Sequence, residues 1–564
     1  MNKKIKSLRE KFKIYQIDGY IVPKNDDYFT EYSKINRLKI ISNFSGSAGL
    51  AVILKNRNYL FTDGRYTIQS QIESGKDFKI TSYENIINCK LFKNLRLGID
   101  PKLITYDHVK KFFLKYNKIK FINNNLIDEI EKKRIKDNFP FFVLNKKIVG
   151  ESCSSKINKI SRFLKKNKSD YLFISAPENI AWILNIRGGD GPNSPIPNCR
   201  LIISKNKNLI LISNVKKSKK LIKKKLIKRS QIIDIKDFTK KIFQLKGNNF
   251  IIDRNSCSIY FENIIKSKFK IIKREDPIYL LKAIKNKTEI KNMIDAHVVD
   301  GAALTKFIYW IKKVNKKKIN EFQAQKKLEY FRRMNKNYLY PSFDTIAGSG
   351  KNGAIIHYRA EKKNCKKIEK KDIFLCDSGG QYKYGTTDVT RTICFSKPKS
   401  SIQDIFTNVL KGHIAVTNTD LKKDSTGSKI DKSARKFLKQ SNLDYPHGTG
   451  HGVGFFLNVH EGPQSISRIN KVKIKEGMIL SNEPGYYKKG SFGIRIENLI
   501  FVKKVKQKLF FENLTLVPIE KELINQKLLS SVEKSYLFNY HMNVYSKISK
   551  YLSLNERKWL ASFI

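Results

Sequence analysis

Two stretches of the sequence repeat one order of apolar, acidic and glycine-rich elements. KDIFLCDSGGQYKYG (371–385) and KEGMILSNEPGYYKKG (475–490) each contain an apolar run, a carboxylate at its end, and a turn rich in glycine, tyrosine and lysine. A second apolar run with another carboxylate follows each turn, in DVTRTICF and in GIRIENLIFV. This order predicts two β-hairpins, each of which holds two acids. Approximate two-fold symmetry between the hairpins is one interpretation, and chance similarity in a lysine-rich chain is the other.

The four acids of these stretches are Asp377, Asp388, Glu483 and Glu497. On one straight strand Asp377 and Asp388 would lie roughly 35 Å apart, so the glycine-rich turn is needed to bring them together. Carboxylates at close range repel, and the pKa of one of them rises, unless a divalent cation lies between them. Four converging acids exceed the needs of one ion and indicate two metals such as Mn²⁺, Mg²⁺ or Zn²⁺ bridged by carboxylates.

A third motif is rich in histidine. Three of the eight histidines fall between 447 and 460, in HGTGHGVGFFLNVHEGP. The glycines argue against a regular helix and allow backbone and imidazoles to crowd a ligand. A single histidine is usually a core or surface residue, but three so close together, beside Phe455 and Phe456, favour a site. They could supply the nitrogen ligand of the predicted metal centre.

Charge is the most unusual bulk property of the chain. It contains 112 Lys and Arg against 50 Asp and Glu, which gives a formal net charge of +62 and would suit nucleic acid or an anionic membrane. The lysines are spread through every region, and stretches such as KKSKKLIKKKLIKR (216–229) are typical of solvated amphipathic helices. We therefore expect no specific nucleic-acid partner.

The other bulk features indicate a cytoplasmic chain of several domains. A length of 564 residues predicts about three domains. No run of about 18 apolar residues occurs, so we expect no membrane partner, and the basic N-terminus lacks the apolar core of a signal peptide. Seven scattered cysteines without a CxxC pair indicate neither a disulfide framework nor a thiolate zinc site.

The pattern along the chain predicts four parts. Residues 1–145 alternate short apolar strands with helical stretches, and this pattern restarts over 146–276, which predicts two α/β domains. A long helical stretch opens the third part, 277–505, which contains almost all of the candidate site residues. The last part, 506–564, predicts a strand or two followed by helices.

Together these motifs resemble one enzyme family. DSGGQYKYGTTDVTRT, HGTGHGVGFFLNVHEGP, SNEPGYY and GIRIEN resemble the metal-site motifs of the pita-bread metallopeptidases, most closely the aminopeptidase P (Xaa-Pro aminopeptidase) family. VPKNDDYFTEY, NFSGSAGLAVI and LFTDGRY are similar to the first domain of the long, three-domain form of that family, and ENIAWILNIRGGD to the second. The resemblance implies an α/β (α+β) fold class with two creatinase-like N-terminal α/β domains followed by a pita-bread catalytic domain. It also implies a homodimer.

The resemblance implies a set of metal ligands. Asp377 would bind one metal, and Asp388 and Glu497 would bridge both. His451 and Glu483 would complete the second site. The cofactors would be two divalent metal ions, for which we expect Mn²⁺, with Zn²⁺ or Co²⁺ as alternatives.

Further residues would contact the substrate or orient the ligands. His357 (in IHYRAE), His447 and His460 would surround the substrate, and Arg65 (in TDGRY) would reach toward it from the first domain. Arg495, expected on the same strand face as Glu497, would orient the carboxylates. Glu483, His460 and His357 would be the catalytic residues.

The implied reaction is release of the N-terminal residue from a peptide with proline in second position. The metals would activate a bridging water, Glu483 would serve as general acid and base, and His460 would donate a hydrogen bond to the oxyanion. An apolar wall near Phe455 and His447 would accept the proline ring.

Other functions stay open at this point. Prolidase shares the metal site but cleaves Xaa-Pro dipeptides, and the two domains that precede the catalytic one favour the aminopeptidase. Creatinase lacks the metal ligands, and methionine aminopeptidase would not explain the long N-terminal part. A non-catalytic pita-bread protein that binds nucleic acid or protein comes from a different class, and the complete ligand set argues against it.

Overall fold

The computed structural model describes residues 3–87, 92–131 and 139–564. The chain forms two compact units, Met1–Ile278 and Tyr279–Ile564. Six of the seven cysteines are free thiols, and Cys89 lies outside the described residues. Within those residues, no helix combines the length and the apolar character that a membrane crossing needs.

The first unit alternates helices and strands. Its helices are α1 Lys3–Ile14, α2 Arg37–Ser42, α3 Thr67–Ser74, α4 Glu84–Ile87, α5 Tyr106–Phe112, α6 Leu126–Ile130, α7 Lys146–Val149, α8 Cys153–Lys166, α9 Pro177–Ile183, α10 Val215–Lys223, α11 Phe238–Gln244 and α12 Ile259–Lys266. Its strands are β1 Gly19–Pro23, β2 Leu50–Leu54, β3 Asn58–Thr62, β4 Lys79–Ser82, β5 Arg96–Ile99, β6 Lys118–Phe121, β7 Phe142–Val143, β8 Tyr171–Ile174, β9 Ile186–Arg187, β10 Arg200–Ser204, β11 Leu209–Ile212, β12 Ile232–Ile233, β13 Asn249–Ile252 and β14 Lys270–Lys273.

Two six-stranded sheets in this unit share one topology. Their strand orders are β4-β3-β2-β1-β5-β6 and β12-β11-β10-β8-β13-β14. In both sheets the second and third, and the third and fourth, strands are antiparallel, and all other neighbours are parallel. The α/β pattern that restarts in the sequence therefore corresponds to a repeated fold.

The basic stretch 216–229 is less regular than predicted. Helix α10 ends at Lys223, and Lys217 is buried on it. The Lys217 ammonium lies 2.8 Å from Asp190, whose side chain is also buried. The amphipathic helix expected over this stretch is thus present but shorter, and one of its lysines is neutralised inside the protein.

The second unit carries the predicted site. Its helices are α13 Pro277–Ala283, which begins at the junction, α14 Lys287–Lys313, α15 Glu321–Arg333, α16 Ser400–Thr417, α17 Gly427–Gln440, α18 Ser531–Ile548 and α19 Leu554–Ala561. Its strands are β15 Tyr338–Pro341, β16 Ile346–Ser349, β17 Ile373–Ser378, β18 Gly380–Tyr382, β19 Gly385–Thr386, β20 Val389–Cys394, β21 Gly450–Gly452, β22 Glu461–Ile466, β23 Ile479–Asn482, β24 Gly485–Lys488, β25 Phe492–Arg495, β26 Asn498–Val505 and β27 Lys508–Asn513.

Capping residues fix where the long helices of this unit begin. The side chain of Asn286 accepts hydrogen bonds from the first turn of α14, and Glu289 reaches back to the Asn286 backbone. Ser530 and Glu533 form the same reciprocal pair at the start of α18. Each pair satisfies backbone N–H groups that the helix itself leaves unpaired.

The two predicted hairpins are each an outer strand pair around an inner hairpin. In the first, β17 and β20 pair antiparallel, and the inner strands β18 and β19 belong to another sheet with β15. In the second, β23 pairs with β26, and β24 and β25 form the inner hairpin. Both acid-bearing stretches therefore have one nested arrangement.

The C-terminal helices share the core of this unit. Leu537, Tyr540 and Val544 of α18 are buried in the same apolar cluster as Ile494 and Ile496, which lie beside the second acid-bearing stretch. The last part of the chain is thus packed against the strands that carry candidate ligands.

Candidate metal centre

The four predicted acids lie at the ends of the outer strand pairs. Asp377 is near the end of β17 and pairs with Thr390 of β20, which Asp388 precedes. Glu483 directly follows β23, and Glu497 directly precedes β26. Each outer pair is antiparallel, so the end of one strand lies beside the start of its partner. The acid at the end of the first strand therefore lies close to the acid that precedes the second.

These acids and two histidines form three overlapping groups of ligand atoms, each group within 4.8 Å. The groups are Asp377, Asp388 and Glu497; His451, Glu483 and Glu497; and Asp388, His451 and His460. Glu497 is common to the first two groups, and Asp388 to the first and third. The arrangement can hold two adjacent cations with shared carboxylates.

The bonding of Asp377 tests whether such ions fit. Its Oδ2 accepts a hydrogen bond from Arg495 Nη2 at 2.5 Å. Its Oδ1 is buried and, within the described part of the chain, has no hydrogen-bond partner. An unsatisfied buried carboxylate oxygen is costly, and a cation would satisfy it. Together with an oxygen-rich donor set, this fits divalent metal ions.

Burial dominates the electrostatics of the acids. It raises the pKa of Asp377 to about 7, because desolvation outweighs the attraction of Arg495, and the charge of Asp388 acts in the same direction. Burial and the neighbouring carboxylates also raise the pKa of Glu497 far above its usual range, and burial raises the pKa of Glu483. Because cations bind the ionised carboxylates, these raised pKa values make metal affinity depend on pH.

The imidazole of His451 completes the acid groups. Its Nε2 lies 3.5 Å from Asp388 Oδ2 and 3.4 Å from Glu483 Oε1. Its Nδ1 is 2.9 Å from the Gly452 carbonyl, which favours the Nδ1–H tautomer and leaves Nε2 for a metal. Burial alone would lower the pKa of His451, but Asp388 and Glu483 outweigh it and raise this pKa to about 9.

Arg495 is connected to two of the acids. Its Nη2 donates to Asp377, and its Nε donates to Thr390 Oγ1 at 3.1 Å. Thr390 Oγ1 in turn donates to Glu497 Oε2 at 2.7 Å. The predicted shared strand is wrong, because β25 ends at Arg495 and Glu497 precedes β26. Arg495 contacts Asp377 directly and reaches Glu497 through Thr390.

The three predicted substrate histidines differ in their surroundings. The His460 ring is 4.3 Å from that of His451, at an interplanar angle of 84°. His447 Nε2 is 2.8 Å from the hydroxyl of Tyr487, which accepts from Arg495 Nη1 at 2.6 Å. His357 is half-buried in a turn after the short helix at 350–354.

Arg65 and Phe455 are the remaining residues that the sequence predicted to contact substrate. Arg65 belongs to the first unit, where its Nη2 lies 2.7 Å from Asp63 Oδ2. Phe455 and Phe456 are only 2% and 1% exposed. Their rings pack in the interior, and the apolar wall expected near Phe455 and His447 stays a prediction.

The known proteins that are similar to this chain support the interpretation of this site as a metal centre. Over 593 residues the chain is 35% identical to the probable Xaa-Pro aminopeptidase P of Laccaria bicolor, and the match covers 99% of this chain and 92% of that one. The chain belongs to the Xaa-Pro aminopeptidase family. The metallopeptidase family M24 model matches residues 291–504, and models for the creatinase/prolidase N-terminal domain match 4–130 and 132–289. A model for the C-terminal region of that peptidase family matches 507–562.

Solved structures agree with the family. X-prolyl aminopeptidase from Caenorhabditis elegans, described as a cytosolic enzyme with a di-nuclear active site, superimposes with a TM-score of 0.92 at 28% identity, over 99% of this chain and 98% of its own. Prolidase from Pyrococcus furiosus gives a TM-score of 0.51 at 26% identity and covers 63% of this chain and 98% of its own. The resemblance inferred from the motifs is confirmed. So is the fold class of two creatinase-like domains followed by a pita-bread catalytic domain.

Several residues that contact the metal centre were not predicted from the sequence. Thr390 and Tyr487 link Arg495 to its neighbours, and Ser481 Oγ donates to Glu483 Oε1 at 3.0 Å. Thr390 and Ser481 each lie two residues from a predicted ligand, so alternation along a strand could have suggested them. Tyr487 is in the turn GYYKKG, where nothing in the pattern distinguishes it from Tyr486.

Proposed function

We propose that this chain is a dinuclear metallo-aminopeptidase that removes the N-terminal residue from peptides with proline in second position. The observation that carries the proposal is the pair of ligand groups that share Glu497, together with the unpartnered Oδ1 of Asp377. Full-length similarity to Xaa-Pro aminopeptidases supports the substrate class.

Five residues would hold the two ions. Asp377 would bind the first ion, Asp388 and Glu497 would bridge both, and His451 and Glu483 would bind the second. When bound, the ions supply an activated water and Lewis-acid polarisation of the scissile carbonyl.

The remaining residues position groups and move protons. Glu483, whose pKa burial raises, would take a proton and pass it to the leaving proline nitrogen. His460, beside His451, would donate a hydrogen bond to the developing oxyanion. Arg495 would hold Asp377 in place. His447, joined to Arg495 through Tyr487, would bind substrate, as would His357 and, from the first unit, Arg65.

The finer assignments are also proposals. We propose Mn²⁺ as the ion, because four of the five ligands are carboxylates. The division into 1–145, 146–276, 277–505 and a C-terminal extension at 506–564 is also proposed; the family ranges support four parts, with matches over 4–130, 132–289, 291–504 and 507–562. A cytoplasmic location is supported by the relative described as cytosolic. A homodimer follows from the family resemblance.

Substrate length distinguishes this function from prolidase. We expect metal-free protein supplied with Mn²⁺ to release one residue from Xaa-Pro-Yaa tripeptides, and to act much more slowly on Xaa-Pro dipeptides. An acetylated N-terminus should prevent cleavage. Product analysis by mass spectrometry checks this, and faster turnover of dipeptides would assign the chain to prolidase. The same assay with Zn²⁺ and Co²⁺ tests the choice of Mn²⁺.

A further inference from the structure

Arg391 is a fully buried arginine that adjoins the metal centre without belonging to it. It is 2% exposed and lies on β20 between Thr390 and Thr392. Alternation along the strand directs those two threonines to the Arg495 side, since Thr392 Oγ1 also bonds the Arg495 backbone. The Arg391 side chain therefore points to the opposite face, toward the C-terminal part of the chain.

The guanidinium of Arg391 donates hydrogen bonds to the two strand ends that carry proposed metal ligands. Arg391 Nη1 donates to the carbonyl of Thr390 at 2.8 Å and to the carbonyl of Glu497 at 2.7 Å. Its Nη2 donates to Asn498 Oδ1 at 2.8 Å. One side chain thus joins the backbone beside Asp388 to the backbone of the shared ligand Glu497.

The other contacts of the same guanidinium lie in the C-terminal segment. Nε donates to the Pro518 carbonyl at 3.0 Å, and Nη2 donates to the Val517 carbonyl at 2.8 Å and to the Tyr540 hydroxyl at 2.9 Å. Tyr540 in turn donates to the Val517 carbonyl at 2.7 Å. Helix α18 therefore fixes both the arginine and the segment that faces it.

The oxygens that Arg391 meets are neutral carbonyl, amide and hydroxyl groups. Burial of a guanidinium without a carboxylate contact is costly, and it lowers the pKa of Arg391. Leu499 extends the same connection, since its N–H donates to Thr515 Oγ1 at 2.8 Å. The C-terminal segment is thus bonded at more than one point to β26, the strand that follows Glu497.

We infer that Arg391 is a positioning residue through which the C-terminal segment, residues 514–540, fixes the bridging ligand Glu497. This inference rests on the proposed dinuclear site. It gives the C-terminal extension a role in metal affinity, although none of the proposed ligands lies in it. Groups that orient metal ligands from behind typically change metal affinity about 10- to 100-fold when removed.

Two variants and one control test the inference in the full-length protein. Tyr540→Phe removes one hydroxyl from Arg391, and Arg391→Lys replaces the planar, forked guanidinium with an ammonium that has fewer N–H donors. Tyr536→Phe is the control, because Tyr536 lies one turn earlier on α18, where its hydroxyl accepts from Asn513 Nδ2 at 3.0 Å and donates to Thr417 Oγ1 at 3.4 Å. The readouts are Mn²⁺ binding to metal-free protein by calorimetry, the melting temperature, and the Mn²⁺ concentration that half-restores activity.

We expect Tyr540→Phe to weaken binding of at least one Mn²⁺ by about tenfold, Arg391→Lys by more, and Tyr536→Phe to leave binding unchanged. Excess Mn²⁺ should restore kcat in Tyr540→Phe. If Arg391→Lys does not fold, Tyr540→Phe decides alone. Wild-type protein that binds fewer than two ions would overturn the proposed function and this inference with it. Two ions bound equally tightly by wild type and Tyr540→Phe, whatever the melting temperature, would overturn only this inference.

Discussion

At the scale of single residues, the metal centre places several acidic side chains in the protein interior. Asp377, Asp388 and Glu497 are all buried and lie within one ligand group. Among the described residues the compensation is partial: Arg495 contacts Asp377 and reaches Glu497 through Thr390, and His451 Nε2 lies 3.5 Å from Asp388. Binding of cations is the change that turns this costly cluster into a stable one.

Removal of a bridging carboxylate should therefore remove activity without unfolding the protein. We expect Asp388→Ala and Glu497→Ala to lose turnover and to carry fewer than two ions by elemental analysis. Glu512→Ala is the control, because that acid lies outside the metal centre, its side chain is 43% exposed, and it pairs with Lys503 at 2.7 Å. Wild-type kcat with a full metal complement in either bridging variant would refute the dinuclear assignment.

The pKa shifts predict how pH changes the stability of metal-free protein. The pKa of Asp377 rises from 3.8 to about 7, so its contribution to stability is present below 3.8 and is lost as pH rises toward 7. The pKa of His451 rises from 6.5 to about 9, so its contribution is lost as pH rises from 6.5 toward 9. Both shifts lower the free energy of unfolding with rising pH.

Thermal unfolding of metal-free protein between pH 5 and 9, about the interval that these two shifts span, checks this expectation. The melting temperature should fall as pH rises, and added Mn²⁺ should reverse the fall at high pH, where the ligands are deprotonated. Asp377→Asn should flatten the lower part of the profile. A metal-free melting temperature that increases across this interval would contradict the assigned pKa directions.

At the scale of elements, the site depends on how closely strands approach. Gly450 lies on β21, directly before His451. A methyl group added at Gly450 would lie 1.9 Å from the carbonyl oxygen of Ser481, which belongs to the neighbouring strand β23. No flexible group can move away, because the obstacle is backbone. The glycine is needed for a close approach that keeps His451 beside Glu483.

Gly450→Ala should therefore displace β21 and weaken metal binding. We expect a lower melting temperature together with a loss of bound Mn²⁺. Gly490→Ala is the matched control, since no atom lies within 4 Å of its added methyl group and only its φ of +73° is unfavourable. That substitution should cost about 1–2 kcal/mol and leave two ions bound. Equal metal content in both variants would show that the close approach of the strands at Gly450 does not determine metal binding.

The sequence predicted these elements unevenly. The apolar runs, glycine turns and acids of 371–394 and 475–502 predicted paired strands with converging carboxylates, because both signals are local. The pairing of the first inner hairpin with another strand could not be predicted, since β18 pairs with β15, which lies about forty residues away along the chain. Arg391 was missed for the same reason, because its partners in 517–540 are brought near only by the folded core.

At the scale of the whole molecule, the sequence predicted the repeated α/β pattern but not the identity of the two sheet topologies. The order of strands in a sheet depends on which strands pair in the folded chain. The sequence pattern of each single strand does not determine that pairing. The four-part division stays a proposal beside the two compact units. The role of the C-terminal extension could not be predicted at all, because it depends on contacts made in space.

The charge of the molecule gives a prediction at this scale. A net charge of +62 will attract nucleic acid at low ionic strength, yet the basic residues are spread along the whole chain. We expect binding to DNA or RNA to be weak, insensitive to sequence, and lost between about 50 and 200 mM salt, as counterion release requires. Fluorescence anisotropy with two unrelated oligonucleotides checks this. A selective complex that survives physiological salt would revive the binding-protein alternative.

The nested strand pairs have a consequence for finding related centres in other genomes. Asp377 and Asp388 are separated by the whole of an inner hairpin, and so are Glu483 and Glu497. Lengthening the tip at 489–491 would change the count of residues between two ligands without moving either strand end. A motif search that fixes these counts would therefore overlook homologues with longer tips, whereas a search for acids at the ends of paired strands would retain them.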